Sequence, residues 1–108
     1  MNKAIIFDGE NEISIIPSDI TKENVVKNLV STMIYRDTLK TAMNTAKTTN
    51  QSQLQIAMLS DKYTEITRGF GFIYGKLLDL HGETRALEII AEVDLLIKLE
   101  EEEFKSNH

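Results

Sequence analysis

The side chains that could carry acid–base or nucleophilic chemistry are few in this chain. It has no cysteine and only two histidines, His81 and the terminal residue His108. A catalytic triad would need a serine and an acid placed beside His81, and no motif around it does this. Asp79, His81 and Glu83 lie at a spacing of two, which does not converge on a helix. We therefore expect a non-enzyme with no catalytic residue, metal ligand or cofactor.

Arginine and tyrosine are the rarer functional side chains of the second half. Both are favoured at binding hot spots, and a guanidinium can also clamp a small anion such as a nucleotide. The alternative is that the tyrosines simply lie at the edge of the core. The set comprises Tyr63, Arg68, Tyr74, His81 and Arg85.

The stretch TRGFGFIYGK, residues 67–76, holds three of the five glycines among aromatic residues. A phosphate-binding loop is one interpretation of it. However, Gly69-Phe70-Gly71 lacks the third glycine, the preceding strand and the lysine of nucleotide motifs. This interpretation is therefore weak.

A second interpretation is RNA binding, because RGFGFIYG resembles the RNP1 signature of the RNA-recognition motif. The matching positions are Arg68, Gly69, Phe70, Gly71, Phe72 and Ile73. The resemblance implies a strand that stacks Phe70 and Phe72 on bases and places Arg68 on phosphate. It covers only this short stretch, and Gly75 stands where the last aromatic residue belongs.

A third interpretation, which we favour, is a helix that runs through the whole segment. Apolar residues recur at alternating steps of three and four, as in a helix with one apolar seam. Gly71 and Gly75 lie opposite this seam and form a flat face. A close helix crossing, or a kink near Gly69, would account for the glycines. Gly82 then ends the helix, with His81 near its negative end. The seam consists of Ile56, Leu59, Tyr63, Ile66, Phe70, Ile73, Leu77 and Leu80.

The N-terminal region predicts a β-hairpin followed by a helix. KAIIFD and EISIIP are β-branched runs separated by Gly9, Glu10 and Asn11, which suggests a three-residue turn. Pro17 would end the second strand. Ser18 or Thr21 would cap the first helix, and KTTNQSQ, residues 47–53, would end it in a turn.

The last segment has two apolar rows on roughly opposite sides of one helix. One small domain can cover one face, so the second face predicts self-association or a protein target. The run Glu100 to Glu103 opposes the helix dipole and could contact a basic patch on a partner. The first row is Ala86, Ile89, Ile90, Val93, Leu96 and Ile97, and the second is Leu87, Ala91, Leu95 and Leu99.

Composition narrows the class of protein. The chain has 108 residues, a net charge of −5 and no basic block, which argues against binding to duplex nucleic acid. No apolar run is long enough to span a membrane, and an acid follows the N-terminus too soon for a secretory signal. A cytoplasmic location is expected. Frequent Ile, Asn, Lys and Thr are common in AT-rich genomes, including those of phages and mobile elements.

We therefore predict a mainly α domain with an N-terminal hairpin and three helices in an antiparallel bundle, completed by oligomerisation. The expected function is protein binding or self-assembly, as in a phage or mobile-element inhibitor or regulator of a host protein. A nucleotide-sequestering oligomer and an RNA-binding protein are the alternatives. The expected ranges are a single domain 1–108, hairpin 1–17, helical region 18–104, tail 105–108, and helices at about 20–48, 53–80 and 84–104.

Overall fold

The structure is a computed structural model that describes residues 3–106. An antiparallel hairpin is followed by a short 3-10 turn and three helices, which is the predicted architecture. The elements are β1 (Ala4–Asp8), β2 (Asn11–Ile15), the 3-10 turn (Pro17–Asp19), α1 (Val25–Thr48), α2 (Gln53–His81) and α3 (Glu83–Ser106).

The hairpin turn is tighter than predicted. Asn11 pairs with Asp8, so only Gly9 and Glu10 connect the strands. Gly9 has a φ of 63°, which glycine adopts without strain. A two-residue turn with a positive φ at its first residue matches the right-handed twist of the strands, and this turn replaces the three-residue loop that we expected.

The predicted cap of α1 is wrong, because the helix begins only at Val25. Side chains in the preceding segment bond to nearby backbone groups instead. Asp19 accepts from the amide of Ile16 at 3.1 Å, and Asn24 accepts from that of Thr21 at 2.8 Å. Such local bonds are an alternative for these side chains to capping the predicted helix start, and α1 begins about five residues later than expected.

The apolar seam of α2 is confirmed, since none of its eight residues is exposed. Ile66, Ile73 and Leu77 are completely buried. The helix begins after Ser52, whose hydroxyl accepts from the amide of Gln55 at 3.2 Å. It ends at His81, and Gly82, with a φ of 86°, is the single residue between α2 and α3.

The core lies where β1, the start of α1, the end of α2 and the first half of α3 meet. A smaller cluster around Phe7, Leu39 and Ile66 continues it between α1 and α2. There the ring of Phe7 stacks on that of Tyr35, with centroids 3.8 Å apart. The hairpin thus supplies apolar side chains to both clusters.

β1 lies across α1 and α2. The amide of Phe7 donates to the buried hydroxyl of Thr32 at 2.9 Å, and the amide of Gly9 donates to Ser31 at 2.8 Å. The Thr32 hydroxyl thus satisfies one outward-facing amide of β1, and that of Ser31 satisfies an amide of the turn. On the α2 side, the backbone of Ile5 lies directly against Gly69.

α3 runs two residues beyond its predicted end and includes residues 105 and 106 of the predicted tail. Residues 107 and 108, like residues 1 and 2 of the hairpin region, lie outside the described residues. Ala86, Ile89 and Val93 of its first apolar row are buried in the core. α3 is therefore held mainly through its first half.

Candidate functional site

The second apolar row of α3 lies in solvent. Leu87, Leu95 and Leu99 are 53%, 58% and 50% exposed, and Ala91 between them is exposed as well. We call these four residues the leucine face. Large apolar side chains grouped on one helix side, opposite a buried side, are typical of an interaction surface.

Leu96 departs from the prediction, because it is 59% exposed although we placed it in the buried row. It lies on the same side of α3 as Ile89, but two turns further along the helix. At that level Ile97, about 100° around the helix from Leu96, packs against the core instead, and Leu96 is left in solvent. Leu96 is one turn from Leu99, so it widens the leucine face at that end.

Among the described residues, no other element lies close to the predicted flat face of α2 at Gly71 and Gly75. A Cβ added at Gly71 or Gly75 would meet no atom within 4 Å. The close backbone approach occurs instead at Gly69, which faces β1. Gly71 and Gly75 therefore remain predicted interface residues for a partner only.

The three helices also enclose a cleft of about 310 Å³. We call it the Arg36 cleft, after one of the side chains that line it. Three cationic and three anionic side chains line it, and none of them pairs with another within 4.0 Å in the described part of the chain. Its lining is Met33, Arg36, Asp37, Lys40, Tyr63, Asp94, Ile97, Lys98 and Glu101.

Aromatic rings of α2 hold Arg36 in place. Its guanidinium carbon lies 5.8 Å from the ring centre of Tyr63 and 5.1 Å from that of Phe70, within the range of a cation–π contact. A hydrogen bond from Arg36 lowers the pKa of the Tyr63 hydroxyl, and partial burial opposes this effect. The positive charges of Arg36 and Lys40 lower this pKa further.

The structure brings together only part of the predicted contact set. Tyr63 and Phe70 meet at Arg36, and Tyr74 stacks on Phe70 with centroids 6.1 Å apart. Phe72 is half-buried against the main core. Two arginines lie elsewhere: Arg68 is exposed, and Arg85 pairs with Glu88 and Glu92 on the surface of α3, at 3.1 and 3.8 Å.

The strand that the RNP1 resemblance implied is absent, because residues 68–75 are helical. On a helix, Phe70 and Phe72 point about 160° apart, so they cannot form one stacking surface. The sheet of the described residues has only two strands, whereas an RNA-recognition motif reads bases on four.

Sequence reasoning missed Arg36, Lys40 and Lys98. Arg36 and Lys40 are one turn apart on α1, so their shared side of the helix was visible in the sequence. Nothing local indicated that Lys98 of α3 lies across from them.

Comparison of the chain with protein families, with curated proteins and with solved structures finds no match. Between residues 3 and 106, no helix is long and apolar enough to cross a membrane. The leucine face and the Arg36 cleft are the features of residues 3–106 that could bind a partner or a ligand.

Proposed function

We propose that the protein is a non-catalytic interaction module that self-associates through the leucine face of α3. The observation that carries this proposal is the exposure of Leu87, Leu95 and Leu99 on the side of α3 opposite Ala86, Ile89 and Val93. An isolated domain gains nothing from three such leucines in water. A partner that covers them gains the free energy of apolar burial.

The dimensions of the single chain support a missing partner. Its radius of gyration is 15.1 Å, compared with about 13 Å for a compact domain of this length. Its accessible surface is 7326 Å², whereas a folded monomer of 12.3 kDa exposes about 6,100 Å². The excess of about 1,200 Å² is larger than the roughly 800 Å² that each partner buries in a standard interface.

The biological role that fits this proposal is a small cytoplasmic regulator or inhibitor encoded by a phage or mobile element. Its composition, without cysteine and rich in Ile, Asn, Lys and Thr, supports that interpretation. Such a module would act by occupying the surface of a host protein, either with the leucine face or with a surface completed by self-association.

Light scattering after size exclusion tests the proposal. Wild type should be an oligomer, and Leu95→Glu should dissociate it, because a charge in an apolar interface is strongly unfavourable. Leu54→Glu is the matched control, since Leu54 is 71% exposed on α2 rather than on α3. Circular dichroism should show that both variants retain their helix content. A wild-type monomer, or an oligomer that Leu95→Glu leaves intact, would contradict the proposal.

A second candidate function is the binding of a small anion, such as a nucleotide, in the Arg36 cleft. The observation in its favour is that two rings hold Arg36 beside Lys40 and Lys98 around one cavity. A ligand of this kind should raise the melting temperature of wild type. Arg36→Met should abolish the shift, and Arg68→Met, at an exposed position outside the cleft lining, should retain it.

A further inference from the structure

We infer that the leucine face is covered by the leucine face of a second copy of this chain, with the two α3 helices antiparallel. This inference rests on the proposed function and specifies the partner and its orientation. Ridge geometry, the order of large and small side chains along α3, and the charges at its two ends point to this arrangement.

The leucine face is a single ridge. Leu87, Ala91, Leu95 and Leu99 follow one another at steps of four, which forms a row inclined to the helix axis. When two such rows interlock, the helix axes cross at about 50°. A two-fold axis can relate two identical ridges, because each then supplies the same surface to the other.

The order of side chains along the ridge favours the antiparallel direction. The midpoint of the ridge is level with Val93, so an antiparallel partner places its Leu95 opposite Ala91 and its Leu99 opposite Leu87. The small side chain of Ala91 then leaves room for a large one. In a parallel pair, Ala91 would face Ala91 and Leu95 would face Leu95, which leaves a gap beside a crowded contact.

The charges at the two ends of α3 favour the same direction. The first turn carries the positive end of the helix dipole with both Glu83 and Arg85, and the last turns carry the negative end with Glu100, Glu101 and Glu102. Antiparallel helices place the acidic end of one copy beside the positive dipole end of the other. Parallel helices would place the acidic ends of a chain of net charge −5 side by side.

Cross-linking of cysteine pairs tests the orientation, and the chain is suited to it because it contains no cysteine. Thr84 and Glu102 are about five helical turns apart, so both lie on the side of the leucine face, one at each end. Both are exposed, and neither belongs to the ridge. Thr84→Cys and Glu102→Cys should be purified separately, mixed to exchange subunits and treated with a short bis-maleimide.

The expected result is a covalent dimer in the mixture and little or none with either variant alone. Strong cross-linking of each variant with itself would show parallel helices and overturn the inference. A wild-type dimer without cross-links in any sample would place the contact elsewhere and overturn it as well. The proposed self-association itself fails separately, when light scattering finds a monomer.

Discussion

The carbonyl oxygen of Ile5, in β1, lies so close to Gly69 of α2 that a Cβ on residue 69 would overlap with it. The methyl carbon Cγ2 of Ile6 is a further neighbour, 3.2 Å from the same position. Gly69 therefore lets the hairpin rest directly on the backbone of α2. This contact joins the hairpin to the helices. It also means that only Gly69, of the three glycines of α2, has a close neighbour from another element.

Gly69→Ala should destabilise the protein by about 1–3 kcal/mol or more, because the strand must shift to admit the methyl group. Gly71→Ala and Gly75→Ala are the controls. Both positions are helical and open, so each should stabilise the protein by up to about 1 kcal/mol. Urea unfolding followed by circular dichroism measures all three. Equal effects at the three positions would disprove the close approach of β1.

Thr32→Val should cost about 1–3 kcal/mol, because it leaves the buried amide of Phe7 without its acceptor. Valine has nearly the same shape as threonine, so packing around α1 is preserved. Thr32→Ser keeps the hydroxyl and serves as the control for hydrogen bonding. The free energy of unfolding should be highest for wild type, lower for Thr32→Ser and lowest for Thr32→Val. A Thr32→Val variant as stable as wild type would show that this bond is not needed.

Ser52→Ala should destabilise the protein by about 1 kcal/mol, because the hydroxyl of Ser52 accepts from the amide of Gln55 at the start of α2. Ser18→Ala should have little effect, since α1 begins well after it. Thermal melts of the two variants check this difference. A larger loss at Ser18 than at Ser52 would contradict the observed helix boundaries.

Ionisation of Tyr63 should occur below the ordinary tyrosine pKa of about 10, because Arg36 lowers its pKa in the folded protein. The ultraviolet titration of wild type minus that of Tyr63→Phe isolates this hydroxyl. Arg36→Met should move its midpoint to higher pH, and Arg68→Met should not. If Arg36→Met leaves the midpoint unchanged, Arg36 is not the cause.

The sign of the associated stability change follows from proton binding. Between the folded pKa of Tyr63 and the ordinary value of about 10, the unfolded chain still holds the proton that the folded chain has lost. Stability therefore rises with pH between the folded pKa and about 10, and the contribution is lost as pH falls through the folded pKa. Tyr63→Phe should remove this pH-dependent part in urea unfolding measured at several pH values.

Some features of this fold could be predicted from the sequence, because they depend on residues that are close together in the chain. The seam from Ile56 to Leu80 specified the position and length of α2, and Gly82 marked its end. The two rows of α3 predicted a helix with one side against the core and one side open. The start of α1 could not be predicted, because Asp19 and Asn24 accept hydrogen bonds from nearby backbone amides. Any residue type that caps helices can form such a local bond instead.

The sequence by itself therefore determined the elements, the apolar side of α2 and the unpartnered leucine row of α3, since a helical period needs only neighbours along the chain. Tertiary structure alone decided that β1 rests on Gly69 rather than near Gly71 or Gly75, and that Arg36, Tyr63 and Lys98 line one cleft. The physical reason is that these contacts join segments far apart in the chain. Helix periodicity determines which residues share one side of a helix, but only tertiary packing determines what that side contacts.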